Sequence, residues 1–172
     1  MGESEERVWN GRLPPEVPKA WNKLTEAVIG CAMEVHSILG PGLLERLYED
    51  AMAYELSSRR IDFERQAPVV LRYKSIDLSG QRLHLVVGGL VVVELKSIES
   101  VPNIHLAQLT SYLRSADLPL GLLLNFNVPH MRDGIYRQIN LISVKRRTQP
   151  PSSSPSAFSP AAISSPLSSN LL

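Results

Sequence analysis

The chain has a single cysteine, Cys31, among its 172 residues. Intramolecular disulfides and cysteine-rich zinc sites are therefore excluded. Long apolar runs are missing as well: none approaches the roughly 18 residues of a membrane span. Charge of one sign is scarce, since 18 basic and 17 acidic residues leave a formal +1. No global field points to nucleic acid, and only local basic patches can supply one. The start, Met1-Gly2-Glu3-Ser4-Glu5-Glu6-Arg7, is acidic and polar, whereas a secretory signal is basic and then apolar. Position 6 is Glu, which breaks the myristoylation pattern. A cytoplasmic protein with no membrane partner is expected. Nothing in the sequence calls for a small-molecule cofactor, and nothing fixes an oligomeric state.

What is present suits one domain with two flexible ends. Hydrophobic residues make up 44% of the chain and concentrate in its middle. Residues 1–20, with Pro14, Pro15 and Pro18, read as an extended leader. Residues 148–172 are almost wholly Ser, Pro, Ala and small apolar residues and are expected to be disordered. Lys145-Arg146-Arg147 precedes that tail and reads as a solvated domain end.

Between the ends, residues 21–147, the periodicity is clear. Leu24, Ala27, Val28, Cys31, Ala32, Val35, Ile38 and Leu39 fall at helical spacing, and Gly40-Pro41-Gly42 ends that helix. A second helix is expected from Leu43 to Arg59, burying Leu44, Leu47, Tyr48 and Ala51. Three short strands follow, at 63–65, 69–73 and 82–87, then a strand at 90–95. A helix over 103–116 leads to the apolar strand 120–126 and a last strand at 134–142. The order predicts an α/β domain with a mixed sheet.

Glu94 and Lys96 stand two apart on a strand and so project from one face. Metal-dependent phosphodiesterases use such a pair, the carboxylate for a divalent ion and the ammonium for the phosphate. Gly88-Gly89 turns the chain just before it, and two hairpin registers compete. A two-residue loop sets His84 against Val93 and Leu83 against Glu94. A three-residue loop pairs Val87 with Val91 and Leu85 with Val93, and sets His84 against Glu94 and Arg82 against Lys96. Only the second register sorts one face as wholly apolar, so it is expected, with glycine supplying positive φ in the loop. His84 and Glu94 become cross-strand neighbours.

Gly42-Leu43-Leu44-Glu45-Arg46-Leu47-Tyr48 resembles the motif that names the GxxExxY proteins, small bacterial members of the PD-(D/E)XK nuclease superfamily. Glu34-Val35-His36, Leu39 to Gly42, Phe63-Glu64-Arg65-Gln66, Val93 to Lys96, Gln108 with Tyr112, and Gly121 to Phe126 match further, in order, over about residues 24–140. The resemblance implies a three-layer, restriction-endonuclease-like core. It implies metal ligation by Glu45 and Glu94, a catalytic Lys96, and a Gln-x-x-x-Tyr element in Gln108 and Tyr112 that positions the site or the DNA. It departs at His84, where the family pattern has Asp.

Imidazole serves Mg²⁺ poorly and suits Mn²⁺, Fe²⁺, Zn²⁺ or Ni²⁺ better. A dead site, a weak nuclease and a site with changed metal preference all follow from His84. The plain alternatives are an imidazole bonded to Glu94, a Glu94–Lys96 ion pair at a strand end, and a Glu45 that solvates the first turn of its helix. His36 reads as a helix-end residue, His105 as a surface residue, and His130 gives no signal. The expected function is metal-dependent action on DNA phosphodiesters, with Mg²⁺ or Mn²⁺ if active, through an altered metal site. A catalytically inactive binding module on the same fold is the competing reading, and a small structural subunit the third.

Overall fold

A computed structural model describes residues 17–149. The expected leader up to residue 16 and the Ser/Pro-rich tail from residue 150 lie outside the described residues. The elements run α1 (Lys19–Leu39), α2 (Glu45–Ser58), β1 (Phe63–Tyr73), β2 (Ile76–Val87), β3 (Val91–Lys96), α3 (Asn103–Ser115), β4 (Leu120–Asn125), a 3-10 turn (Met131–Gly134), β5 (Ile135–Ile139) and α4 (Leu141–Thr148).

The five strands form one sheet in chain order. Only β3 and β4 are parallel, and the crossover that a parallel pair requires is α3. Val91 to Leu95 and Leu120 to Asn125 are buried at every position, the pattern of central strands covered on both faces. Val28, Cys31, Ala32 and Val35 of α1 and Tyr48, Met52 and Leu56 of α2 pack on Leu85, Val93, Leu95 and Leu122. Leu109, Tyr112 and Leu113 of α3 pack on Val92 and Leu123 from the other side. The result is an α/β domain of three layers, helices on both faces of a mixed sheet, consistent with a restriction-endonuclease-like fold.

The β2–β3 hairpin takes the three-residue register: Val87 pairs with Val91, Val86 with Val92, and Leu85 with Val93. Gly88 and Gly89 both adopt positive φ, +58° and +63°, in its loop. The α1–α2 turn is fastened by Tyr48, whose hydroxyl donates to Gly40 O at 2.7 Å and accepts from Leu43 N at 3.1 Å. Its ring stacks on Phe126 with centroids 4.3 Å apart, a contact worth about 0.5–1.5 kcal/mol beyond its area.

Several expectations are corrected. Tyr48 is buried as expected, but Leu44 and Leu47 are 73% and 40% exposed, because α2 begins at Glu45 and buries Met52 and Leu56 beside Tyr48. Ile38 and Leu39, at the end of α1, are exposed too. The three short strands at 63–87 are two long ones forming a continuous antiparallel hairpin. The expected last strand stops at Ile139, and Asn140 accepts from Ser143 N to cap α4, which carries Lys145, Arg146 and Arg147. α1 starts at Lys19, two residues inside the expected leader.

Candidate functional site

Val92, Glu94 and Lys96 project from the α3 side of β3, as strand alternation requires. Lys96 Nζ lies 3.1 Å from Glu94 Oε1, and both side chains are largely buried. His84 Nδ1 approaches the other carboxylate oxygen, Oε2, at 3.3 Å. The sequence-derived neighbourhood of His84, Glu94 and Lys96 is therefore present. Arg82 does not join it: its guanidinium turns to Gln66 O at 2.7 Å, and the β2–β3 ladder ends at Leu85 and Val93.

Burial pushes the Glu94 carboxyl up, but His84 and Lys96 outweigh it and hold the group below the usual carboxylate range. The bond and charge of Glu94 lift the His84 imidazole above its ordinary value, against the effect of burial. One nitrogen cannot satisfy both of its neighbours, however. Leu95 N–H donates to His84 Nδ1 at 3.1 Å, which requires a lone pair there. A proton on Nδ1 would serve Glu94 and displace that amide. The geometry favours the Leu95 amide, and Glu94 Oε2 is left buried without a well-aligned hydrogen-bond partner.

A second buried carboxylate, Glu49 of α2, was not singled out from the sequence. Both its oxygens are held, Oε1 by Arg65 Nε at 3.1 Å and Oε2 by Gln66 Nε2 at 2.7 Å, and its charge reaches His84. Arg65 also grips Asp50 at 2.6 Å. Gln66 sits at φ +51°, a left-handed conformation costing about 1 kcal/mol or more for a residue with a side chain. Beyond that corner Ala67, Val69 and Leu83 join the α3-side core, whereas Leu85 and Val87 belong to the opposite one. The signal for Glu49 was its spacing, i+4 from Glu45 on the same helix.

Gln108 and Tyr112 lie on one face of α3 and bond to each other, Nε2 to the phenol oxygen at 2.6 Å. The Tyr112 hydroxyl donates onward to Gln81 Oε1 of β2 at 2.9 Å. Burial pushes the phenol up, the Gln108 bond opposes this, and the Glu94 charge adds to it. Glu45, the first residue of α2, accepts from Ser97 N–H at 3.3 Å, just past Lys96. Ser97 Oγ donates to Leu43 O at 2.6 Å, so the start of α2 is tied to the end of β3. Asn125 fixes the same loop by accepting from Ile98 N and donating to Ile98 O. His36 Nε2 lies 2.8 Å from Val128 O, a structural tie, while His105 is partly exposed and His130 exposed.

The donor set does not make a Mg²⁺ cage, which needs oxygens in near-octahedral array. Glu94 Oε2 is an open acceptor, but the His84 Nδ1 lone pair is engaged, both Glu49 oxygens are bonded to Arg65 and Gln66, and Glu45 holds a backbone amide. Among the described residues no three His, Cys, Asp or Glu side chains converge to hold an ion. No described helix is long and apolar enough to cross a membrane.

Residues 22–138 match the family profile described as the PD-(D/E)XK nuclease superfamily. Neither the curated proteins nor the solved structures returned a match.

Proposed function

Because the chain belongs to the PD-(D/E)XK nuclease superfamily, we propose that it acts on DNA phosphodiesters at the Glu94–Lys96 strand end, with a metal site altered by His84. Members of this superfamily generally use Mg²⁺ or Mn²⁺, which polarises a phosphoryl oxygen and activates water. Within the superfamily we assign the chain to the GxxExxY proteins, acting in the cytoplasm. The turn fastened by Tyr48 and the Glu45 contact to Ser97 support this, since they give two residues of that motif concrete work.

The observation that carries the reading is the charge count at Glu94. One carboxylate faces one ammonium and one imidazole, so the set carries no net negative charge that calls for a cation. An Asp at position 84 would leave it one unit negative. The Lys96 ammonium has three donors and Glu94 takes one, which leaves others for a phosphate oxygen. Gln108 and Tyr112 hold the α3 side of the site in register with β2 through Gln81.

The test is a cleavage assay of the wild type and His84→Asp on single- and double-stranded DNA, with Mg²⁺ and Mn²⁺ in parallel. The wild type is expected to cleave with Mn²⁺ and not with Mg²⁺, His84→Asp to cleave with Mg²⁺, and Lys96→Ala to abolish cutting in either background. Wild-type cleavage with Mg²⁺ that Lys96→Ala removes would sink the altered-site reading. The balanced charge set also favours a second reading, a binding module on the same fold. That reading stands if neither protein cuts and the wild type still binds DNA with salt-dependent affinity.

A further inference from the structure

Past the corner at Gln66 and His84, the β1–β2 hairpin leaves the body of the domain. Its base is docked by Ala67, Val69 and Leu83, which pack with α3. From Val70 to Arg82 no residue is buried. Two-stranded ribbons standing alone are marginal in water, yet this one exposes Val70, Tyr73, Ile76 and Leu78. Leu71 pairs with Leu78 and Tyr73 with Ile76, so Leu71, Tyr73, Ile76 and Leu78 share one face and Val70 lies on the other. Arg72 and Asp77 pair on the other face, joined by an ion pair at 2.7 Å.

The arm is also bent. Val69 pairs with Gln81 but Leu71 with Leu78, so β2 holds one extra residue there, and Gly80 sits at φ +111° within it. Such bulges increase the local twist and occur next to active sites. Immediately past the bulge, Gln81 accepts from the Tyr112 hydroxyl, so the arm is continuous with the site.

We propose that the apolar face of this arm, centred on Tyr73, binds an unpaired DNA strand and feeds it to the Glu94–Lys96 strand end. The inference rests on the reading of the domain as one that acts on DNA. A flat, exposed aromatic ring stacks on bases that are free of a duplex stack. Lys74 Nζ lies over one face of the Tyr73 ring, 5.5 Å from its centroid, so a cation accompanies the exposed aromatic at the tip of the arm. Arg72 is paired with Asp77, the only acidic residue along the arm, so Lys74 and Arg82 remain as an excess of positive charge suited to a phosphate backbone. A second copy of the chain fits less well, because pairing two such arms would bring like charges together.

The measurement is fluorescence anisotropy of a labelled oligothymidylate and of a duplex of equal length, in EDTA, so that binding is read without cleavage. The wild type is expected to prefer the single strand. Tyr73→Ala should weaken that binding roughly five-fold or more, the loss of one stacked base, and Tyr73→Phe should keep it. Lys74→Ala should lower the slope of log affinity against log salt by about 0.7, one released phosphate contact. Circular dichroism melts confirm that the variants fold. No binding by the wild type, equal binding by Tyr73→Ala, or a preference for duplex would each overturn the proposal. A Tyr73-dependent increase in particle mass without DNA would give the face to a second copy instead. A silent cleavage assay with intact Tyr73-dependent binding would remove the nuclease reading and leave the arm standing.

Discussion

Leu95 N–H donates to Nδ1 of His84 at 3.1 Å, so the nitrogen nearest Glu94 Oε2 spends its lone pair on the backbone. His84→Asp would lose that bond and set two carboxylates side by side. Without metal the variant is expected to be less stable by about 1–2 kcal/mol, the scale of one lost buried hydrogen bond. Mg²⁺ should raise its melting temperature, since an ion that binds only the folded form stabilises it. The wild-type melt should ignore Mg²⁺. A wild type that responds while His84→Asp does not would refute the charge-count argument.

Glu94 and Lys96 should behave as a buried pair. Lys96→Met leaves the Glu94 carboxylate uncompensated and is expected to cost about 3 kcal/mol in urea denaturation. Glu94→Gln combined with Lys96→Met should cost clearly less than the sum of the single changes. Additive effects would mean that the pair is not coupled.

Tyr48→Phe removes a hydroxyl that both donates to Gly40 O and accepts from Leu43 N, while leaving the ring on Phe126. A loss of about 1–3 kcal/mol is expected, because two turn groups lose their partner. Chemical-shift changes should concentrate in Gly40 to Glu45. An unchanged denaturation midpoint would show the hydroxyl to be idle.

The Asp117 carboxylate is held below its ordinary value, first by the Ser143 hydroxyl and then by Arg146. A depressed folded-state value means that this contribution is present at neutral pH and fades as pH falls through that value. Asp117→Asn keeps a residue type tolerant of the observed φ of +50°. It should be less stable than the wild type at neutral pH, and the two should converge in strong acid. A gap that stays constant with pH would contradict the assignment.

The sequence was most informative where alternation admits a single answer. Between Arg82 and Lys96 only one register sorts the apolar side chains, so the β2–β3 pairing and the His84–Glu94 approach were both legible. Gln108 and Tyr112 were equally readable, since i+4 spacing on a helix puts them in reach. Glu49 was harder: what buries it are Arg65 and Gln66, on a strand that follows in the chain. Leu44 and Leu47 misled because helical spacing reports a stripe but not which stripe the sheet covers. The outer hairpin looked broken because exposed ribbon needs no alternation. α4 was hidden by its basic residues, which lean on Asp117 rather than on an apolar groove.

Cys31 lies at 0% exposure where α1 meets the sheet, and burial pushes its thiol up. The folded chain should therefore be inert to thiol reagents, and each labelling event should record α1 lifting away. The rate of modification, followed by mass spectrometry, becomes a clock for opening of that layer. With no other sulfhydryl in the chain to protect or remove, a probe attached to the thiol of a Ser75→Cys variant would follow the hairpin tip while the core thiol stayed silent.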